Sequence, residues 1–269
     1  MHTTAAMPLA SPALEDCSVI ELRDYLMQPN RRDVLIELFE REFIETQEAL
    51  GMRVMAHFRD LDRPDHYVWL RGFADMPARQ RGLEAFYTGA TWLANRDAAN
   101  ATMIASDDVR LLRYARPTWA LTTPAAPRPH RNAEATLPRS LYLLFVATLA
   151  APADETLKRS FERDAMPLLR ECGLMPSAVF ETVPAANNYP RLSVRVDAPV
   201  LAWLSRTPSV AAADEALARL DAPPAWRGGQ PRQRFVGGSH ARRARPPRQH
   251  RRIDAHRQPR VVVGCGLGL

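Results

Sequence analysis

The tetrapeptide FERE at residues 39–42 returns as FERD at residues 161–164, at an offset of 122 positions (39 to 161). The same offset carries Gly51 onto Gly173 and the segment that begins at Val19 onto the one that begins at Leu141. An internal repeat of this length indicates that the chain contains two copies of one structural unit. The repeat therefore predicts two units of the same fold.

The first copy, residues 18–115, alternates between strand-like and helix-like patterns. Leu35, Leu38 and Phe39 recur at helical spacing, and Asp75 is a suitable N-cap for a second helix. Segments with strand-like composition predict β-strands at residues 19–26, 53–59, 66–73 and 109–114. The order β-α-β-β-α-β is the ferredoxin-like split motif.

The second copy, residues 139–227, follows the first with one insertion. Trp69 corresponds to Trp203 at an offset of 134 rather than 122 positions, so 12 extra residues precede the third strand of this copy. The insertion lies at residues 184–199, which are bounded by prolines. After the last helix no segment resembles residues 109–114, so the second unit is predicted to lack its closing strand.

A lone ferredoxin-like unit covers one face of its sheet with two helices and leaves the other face bare. A second copy in the same chain can cover that bare face. The fold class predicted is therefore α+β, with two ferredoxin-like units paired sheet against sheet in an α+β barrel with a lumen. Tyr67 and Trp69 are expected to lie against the second sheet around Trp203.

Three segments resemble the NIPSNAP family. They are VIELRDY at residues 19–25, DHYVWLRGF at residues 65–73 and NNYPRL at residues 187–192. Their order and spacing are similar to those of bacterial members with two domains in tandem, over residues 18–227. The resemblance implies the dimeric α+β barrel fold. It implies no reaction, because the biochemistry of this family is poorly defined.

The charge of the chain is concentrated at its end. Residues 228–269 hold ten arginines and one acidic residue, Asp254, a net charge of +9, whereas the whole chain carries +6. The remainder is therefore mildly acidic. Such a tail cannot bury enough apolar surface to offset the cost of ordering, so it is predicted to be disordered. Residues 1–17 are also predicted to be disordered, and residues 116–138 to be an extended linker.

Two explanations of the tail remain open. It is either a basic arm that contacts anionic polymers such as nucleic acid, or the product of a reading-frame shift near Arg227 that replaced the closing strand. The tail lacks the interleaved aromatic residues typical of single-strand binding. Nucleic-acid binding is therefore not expected apart from this tail.

Several classes of protein and site are excluded by composition. Cys17, Cys172 and Cys265 are far apart and odd in number, which argues against a disulfide framework and a zinc site. No apolar run is long enough for a membrane helix and no secretory signal is visible, so a cytoplasmic protein is expected. Phosphate-binding glycine loops and the common hydrolase motifs are also absent. No cofactor and no metal are predicted.

Strand alternation separates a mixed polar and aromatic set of side chains from a purely apolar set. The mixed set is predicted to line the lumen of the first unit and consists of Glu21, Arg23, Tyr25, His57, Tyr67, Trp69 and Arg71. The second unit has Leu143, Phe145 and Ala147 in place of the first three. Only one unit is thus expected to carry a site. The alternative is that Glu21 merely forms an ion pair with Arg23 or Arg71.

The leading functional prediction is a protein that binds a small, partly apolar ligand or a partner without catalysis. Whether the chain is an enzyme stays open. The fold would also suit a cofactor-independent monooxygenase or a haem-binding enzyme, and a haem reading would need His57 or His66 as ligand. A homo-oligomer is compatible with the sequence as well.

Overall fold

The computed structural model describes residues 10–124, 139–221 and 260–265. Four strands form the sheet of the first half: β1 (Val19–Met27), β2 (Arg53–Asp60), β3 (His66–Phe73) and β4 (Met103–Tyr114). Its helices are α1 (Arg32–Leu38), α2 (Ile44–Ala49), α3 (Met76–Thr88) and α4 (Ala90–Asn100). A π-helical segment, Phe39–Phe43, joins α1 to α2.

The second half repeats this order. Its strands are β5 (Arg139–Thr148), β6 (Pro176–Thr182) and β7 (Val200–Thr207), and its helices are α5 (Glu155–Ser160), α6 (Met166–Glu171) and α7 (Val210–Asp221). A π-helical segment, Phe161–Ala165, again joins two helices, at the offset of the FERE repeat. The bounds of β7 correspond to those of β3 at the second offset. An eighth strand, β8, is formed by Arg260–Cys265.

Local sequence explains where several helices begin and end. The backbone N–H of Ala78 donates to Asp75 Oδ1 at 2.6 Å, which confirms Asp75 as the N-cap of α3. Gly51 and Gly173 follow the ends of corresponding helices with φ of 79° and 78°. This left-handed backbone costs least at glycine, so both residues stop their helices as their repeat predicts.

The strands close into one antiparallel barrel in the order β1-β3-β2-β8-β5-β7-β6-β4. Within the first half the order β4-β1-β3-β2 is that of a ferredoxin-like sheet. The two sheets join where β4 pairs with β6, for example Tyr114 with Phe180, and where β2 pairs with β8, for example His57 with Cys265. The mixed α/β fold with an antiparallel sheet agrees with the prediction.

The prediction that the second unit lacks its closing strand is wrong. Strand β8 lies between β5 and β2, which is the place that β4 holds between β1 and β6. It includes the run Val261-Val262-Val263, which has high β propensity and can pair with two strand edges that would otherwise be open. The rest of the predicted disordered tail, residues 228–259 and 266–269, lies outside the described residues.

Part of the predicted disordered N-terminus is also packed. Leu14 and Cys17 are buried, and the Leu14 N–H donates to Thr123 Oγ1 at 2.7 Å. Residues 10–17 therefore cover one end of the barrel together with the first part of the predicted linker, because their apolar side chains join its core. Residues 1–9 and 125–138 are outside the described residues.

Apolar cores lie on both sides of the barrel wall, one inside the barrel and others beneath the helices. Inside the barrel, apolar side chains from both halves form one cluster that includes Ile20, Leu22, Phe58, Val68, Leu70, Tyr142, Leu144, Phe180 and Leu204. Outside it, each half has its own cluster beneath its helices. The inner faces of the two sheets thus pack on each other. No helix in the described ranges is both long and apolar enough to cross a membrane.

Candidate ligand site

The seven predicted site residues lie on the outer, helix-covered face of the first sheet and not in the lumen. Tyr25, Tyr67 and Trp69 belong to the cluster beneath the helices, whereas Ile20 and Leu22 point into the barrel. The lumen prediction is therefore wrong, and so is the expected contact with the second sheet around Trp203. The interior of an eight-stranded barrel is narrow enough for side chains to fill, and here the apolar set fills it.

Glu21 is the centre of a buried charged cluster on this face. Its Oε2 accepts hydrogen bonds from Arg23 Nη1 at 2.7 Å and from Arg71 Nη2 at 2.6 Å. Its Oε1 accepts from Arg79 Nε at 2.8 Å. The strand register explains part of this arrangement, because Glu21 of β1 is directly opposite Arg71 of β3.

The cluster has an excess of positive charge. Three arginine side chains, each no more than 2% exposed, share one carboxylate. Although burial alone raises the pKa of Glu21, the charges of Arg71, Arg23 and Arg79 hold it well below its usual range. Within the described residues, Nη2 of Arg79 meets no hydrogen-bond acceptor. Buried charge in such excess is costly unless something negative compensates it.

A pocket opens beside this cluster, between the sheet and the helices of the first half. Its empty space, with the open mouth included, is about 600 Å³. Two of its lining residues are the cations Arg23 and Arg71. Its walls carry seven aromatic side chains: Tyr25, Phe39, Phe43, Trp69, Phe86, Tyr87 and Trp92. The pocket therefore combines fixed positive charge with flat apolar walls.

The pocket cations are held in place by their neighbours. Arg23 donates through Nε to Tyr25 Oη at 2.8 Å, and its guanidinium lies 5.4 Å from the Trp69 ring centroid. Arg71 donates through Nη1 to Gln47 Oε1 at 2.7 Å and lies 5.0 Å from the same ring. Cation–π contacts of this kind stabilise desolvated guanidinium groups. Burial raises the pKa of Tyr25, so its hydroxyl keeps its proton.

His57 is separate from the pocket. It is buried on β2, and its Nε2 lies 3.4 Å from Glu40 Oε1 of the π-helical segment. The prediction that it shares a cavity with Arg23 and Arg71 is wrong for His57. His66 is bound to Asp24, with Nδ1 to Oδ1 at 2.7 Å. Neither histidine lines the pocket, and no group in the described ranges has the His, Cys, Asp and Glu residues to hold a metal ion.

Several residues of the site were missed from the sequence. Gln47 and Arg79 are on helices, and their partners on the sheet are distant in the chain. Asn187 and Asn188 belong to the insertion of the second half, yet both accept hydrogen bonds from Arg79, at 3.1 and 2.7 Å. Asn187 and Asn188 were marked in the sequence by the insertion and by the NNYPRL segment that resembles the NIPSNAP family. Neither the insertion nor this segment indicates which half of the chain the two asparagines contact.

Comparison with known proteins confirms the resemblance to the NIPSNAP family. The family model matches residues 20–117 of this chain. A crystal structure of an uncharacterized NIPSNAP-like domain protein from Burkholderia xenovorans is 23% identical, with a TM-score of 0.32, over 35% of this chain and 81% of that protein. No curated protein matches the chain.

Two other solved structures cover more of the chain. An anthrone oxidase-like protein is 13% identical, with a TM-score of 0.48, over 94% of this chain and 93% of that protein. Chlorite dismutase from Candidatus Nitrospira defluvii, solved in complex with imidazole, is 11% identical, with a TM-score of 0.44, over 78% and 85% of the two chains.

Proposed function

We propose that the first half of this protein binds a small organic anion with an aromatic body in the pocket beside Glu21. The observation that carries the proposal is the excess of buried cations at an aromatic-lined pocket. The same face of the second half has only apolar residues at the matching positions of β5, with Phe145 stacked on Trp203 at 4.9 Å. The binding site is thus proposed for one half only.

The charge of the cluster supports an anionic group on the ligand. Arg23, Arg71 and Arg79 outnumber Glu21, so one carboxylate or sulfonate would bring the local charge closer to balance. Hydrogen bonds between guanidinium groups and an ionised acceptor are about twice as strong as neutral ones. A neutral ligand of the same shape would leave the excess charge uncompensated.

The walls support a flat, apolar body. Phe39 lies 4.8 Å from Trp69, and Tyr87 lies 4.9 Å from Trp92, both in edge-on geometry between ring centroids. An aromatic ring of the ligand can pack against the faces and edges of these side chains. Such contacts stabilise binding beyond the burial of apolar area. Small-molecule sites commonly combine such walls with a few convergent polar groups.

Calorimetry with 2-naphthoate and its neutral match 2-naphthamide tests the proposal. We expect the acid to bind and the amide to bind at least tenfold more weakly, since only the acid meets the cations with a full charge. Quenching of Trp69 and Trp92 fluorescence provides a second measurement. Equal affinity of acid and amide, or no binding of either, contradicts the proposal.

Substitution of Arg23 tests whether the ligand binds beside the charged cluster. Arg23→Ala removes one charge-assisted hydrogen bond to the ligand and is expected to weaken 2-naphthoate binding roughly 10- to 150-fold, from about 1.5–3 kcal/mol. Arg96→Ala is the matched control, because Arg96 is on α4 of the same half and is exposed outside the pocket. If both variants bind like the unaltered protein, the anion is not held by this cluster.

A further inference from the structure

The insertion of the second half lies over the pocket of the first half. Leu192, which belongs to this insertion, is one of the residues that line the pocket. We propose that the turn at residues 187–192 is a wall of the ligand site and that Leu192 limits the size of the anion bound. This inference rests on the proposed function, and it makes the two halves of the chain parts of one site.

Backbone hydrogen bonds tie the chain to β4 on both sides of the turn at residues 187–192. The N–H of Val183 donates to the Leu111 carbonyl at 2.9 Å, and the N–H of Arg195 donates to the Val109 carbonyl at 2.7 Å. Arg195 Nη1 also lies 3.2 Å from Asp108 Oδ1. The insertion is therefore anchored on the first half on either side of the turn.

The middle of the turn is held by α3. Asn188 donates through Nδ2 to the Met76 carbonyl at 2.6 Å and accepts from Arg79 Nη1 at 2.7 Å. Tyr189 is buried and stacks on Tyr87, with ring centroids 6.1 Å apart and planes inclined by 21°. These contacts use the same Arg79 that binds Glu21, so the wall and the charged cluster share a residue.

Leu192 itself is fixed within the turn. Its carbonyl accepts from Asn187 Nδ2 at 2.7 Å, and its N–H donates to the Tyr189 carbonyl at 3.1 Å. These two hydrogen bonds fix the backbone of Leu192, whose side chain lines the pocket. An apolar wall of fixed position discriminates by size, because a longer ligand must either displace it or leave part of itself in water.

Two substitutions of opposite size test this role with benzoate and 2-naphthoate as probes. Leu192→Ala enlarges the pocket, so the ratio of the naphthoate Kd to the benzoate Kd is expected to fall by roughly tenfold. Leu192→Phe reduces the space, so the same ratio is expected to rise. A rise and a fall from one position cannot come from general loss of folding.

Val196→Ala is the matched control. Val196 is in the same insertion, is 86% exposed and does not line the pocket, so this variant should keep the Kd ratio of the unaltered protein. If the unaltered protein binds the acids but neither Leu192 variant changes the ratio, the wall inference is wrong and the proposed function stands. If the unaltered protein binds neither acid, the proposed function itself fails, and the inference with it.

Discussion

Glu21 is the residue on which the charged cluster depends. It is fully buried and is the only carboxylate that binds Arg23, Arg71 and Arg79 within the described residues. Loss of its charge leaves the three cations together in a medium of low dielectric. Removal of one partner from a buried ionic group costs more than the group contributes when intact, because the remaining charges lose their compensation.

We therefore expect Glu21→Gln to lower the free energy of unfolding at pH 7 by about 3–5 kcal/mol. The pH dependence has a defined sign. Because the folded-state pKa of Glu21 lies well below its ordinary value of 4.5, its contribution is present above pH 4.5 and is lost as the pH falls below that value. The difference between the two proteins should thus shrink in acid. Chemical denaturation at pH 7 and at pH 3.5 measures both effects.

Glu45→Gln is the control for the Glu21 variant. Glu45 is exposed on α2, so its substitution should change stability by no more than about 0.5 kcal/mol. If Glu21→Gln were as harmless as Glu45→Gln at pH 7, the buried cluster would not be ionised as described.

Strand β3 and the N-terminal segment are in close contact at Gly72. A Cβ atom at this position would meet Cys17 Sγ, and Met55 Sδ at 3.0 Å. Cys17 is buried, and burial raises the pKa of its thiol to about 12. The absence of a side chain at Gly72 therefore lets residues 10–17 pack directly on the strand.

Gly72→Ala is expected to destabilise the protein by about 1–3 kcal/mol, the usual cost of overpacking a core. Cys17→Ala removes the Sγ atom that the added Cβ at position 72 would meet. The loss of stability in the double variant should therefore be smaller than the sum of the losses in the two single variants. Thermal and denaturant unfolding of the four proteins gives this coupling energy. Strict additivity would mean that the N-terminal segment does not contact β3 at this glycine.

Corresponding elements of the two halves lie in different surroundings. The two π-helical segments contain the FERE and FERD sequences, yet Phe39 packs on Trp69 beside a pocket whereas Phe161 packs on Trp203 in an apolar cluster. We infer that both copies of a duplicated unit kept the same order of strands and helices. Only the first copy has polar residues on its first strand, β1, whereas β5 has apolar residues at the matching positions. The tandem origin stays an interpretation of these offsets.

At the scale of the whole molecule, β8 closes the barrel. It pairs with β5 from Arg139 to Leu144 and with β2 from His57 to Asp60. Without it, both neighbours would have an open edge, and open edges favour pairing with other chains. Because β8 closes the sheet, the frame-shift hypothesis no longer has a missing strand to explain. The basic arm and the frame shift stay predictions, and sequencing of the gene after Arg227 separates them.

A chain that ends at residue 259 is expected to unfold at a lower temperature and to form larger species on size-exclusion chromatography, because β2 and β5 lose their partner. The matched control ends at residue 265 and keeps all of β8. If both truncated proteins behave alike and remain as stable as the full chain, β8 does not contribute to barrel closure.

Much of the fold and part of the site could be predicted from sequence. The seven expected residues do share one face, and Arg23, Tyr25, Trp69 and Arg71 do line one pocket. Their face was assigned wrongly because alternation separates the two sides of a strand but does not say which side is turned inward. Leu192 could not be predicted, since it joins the pocket through contacts between distant parts of the chain.

The local features of this protein follow from short stretches of its sequence. Residue spacing, the Asp75 cap and the glycine at position 51 act within a few positions, so the repeat, the element order and the helix ends follow from them. Only the folded structure reveals that apolar side chains fill the barrel, that charged ones lie beneath the helices and that Leu192 of the second half lines the pocket. Those outcomes depend on which surfaces meet, because packing the two sheets and their helices buries apolar surface that no short stretch of sequence can bury alone.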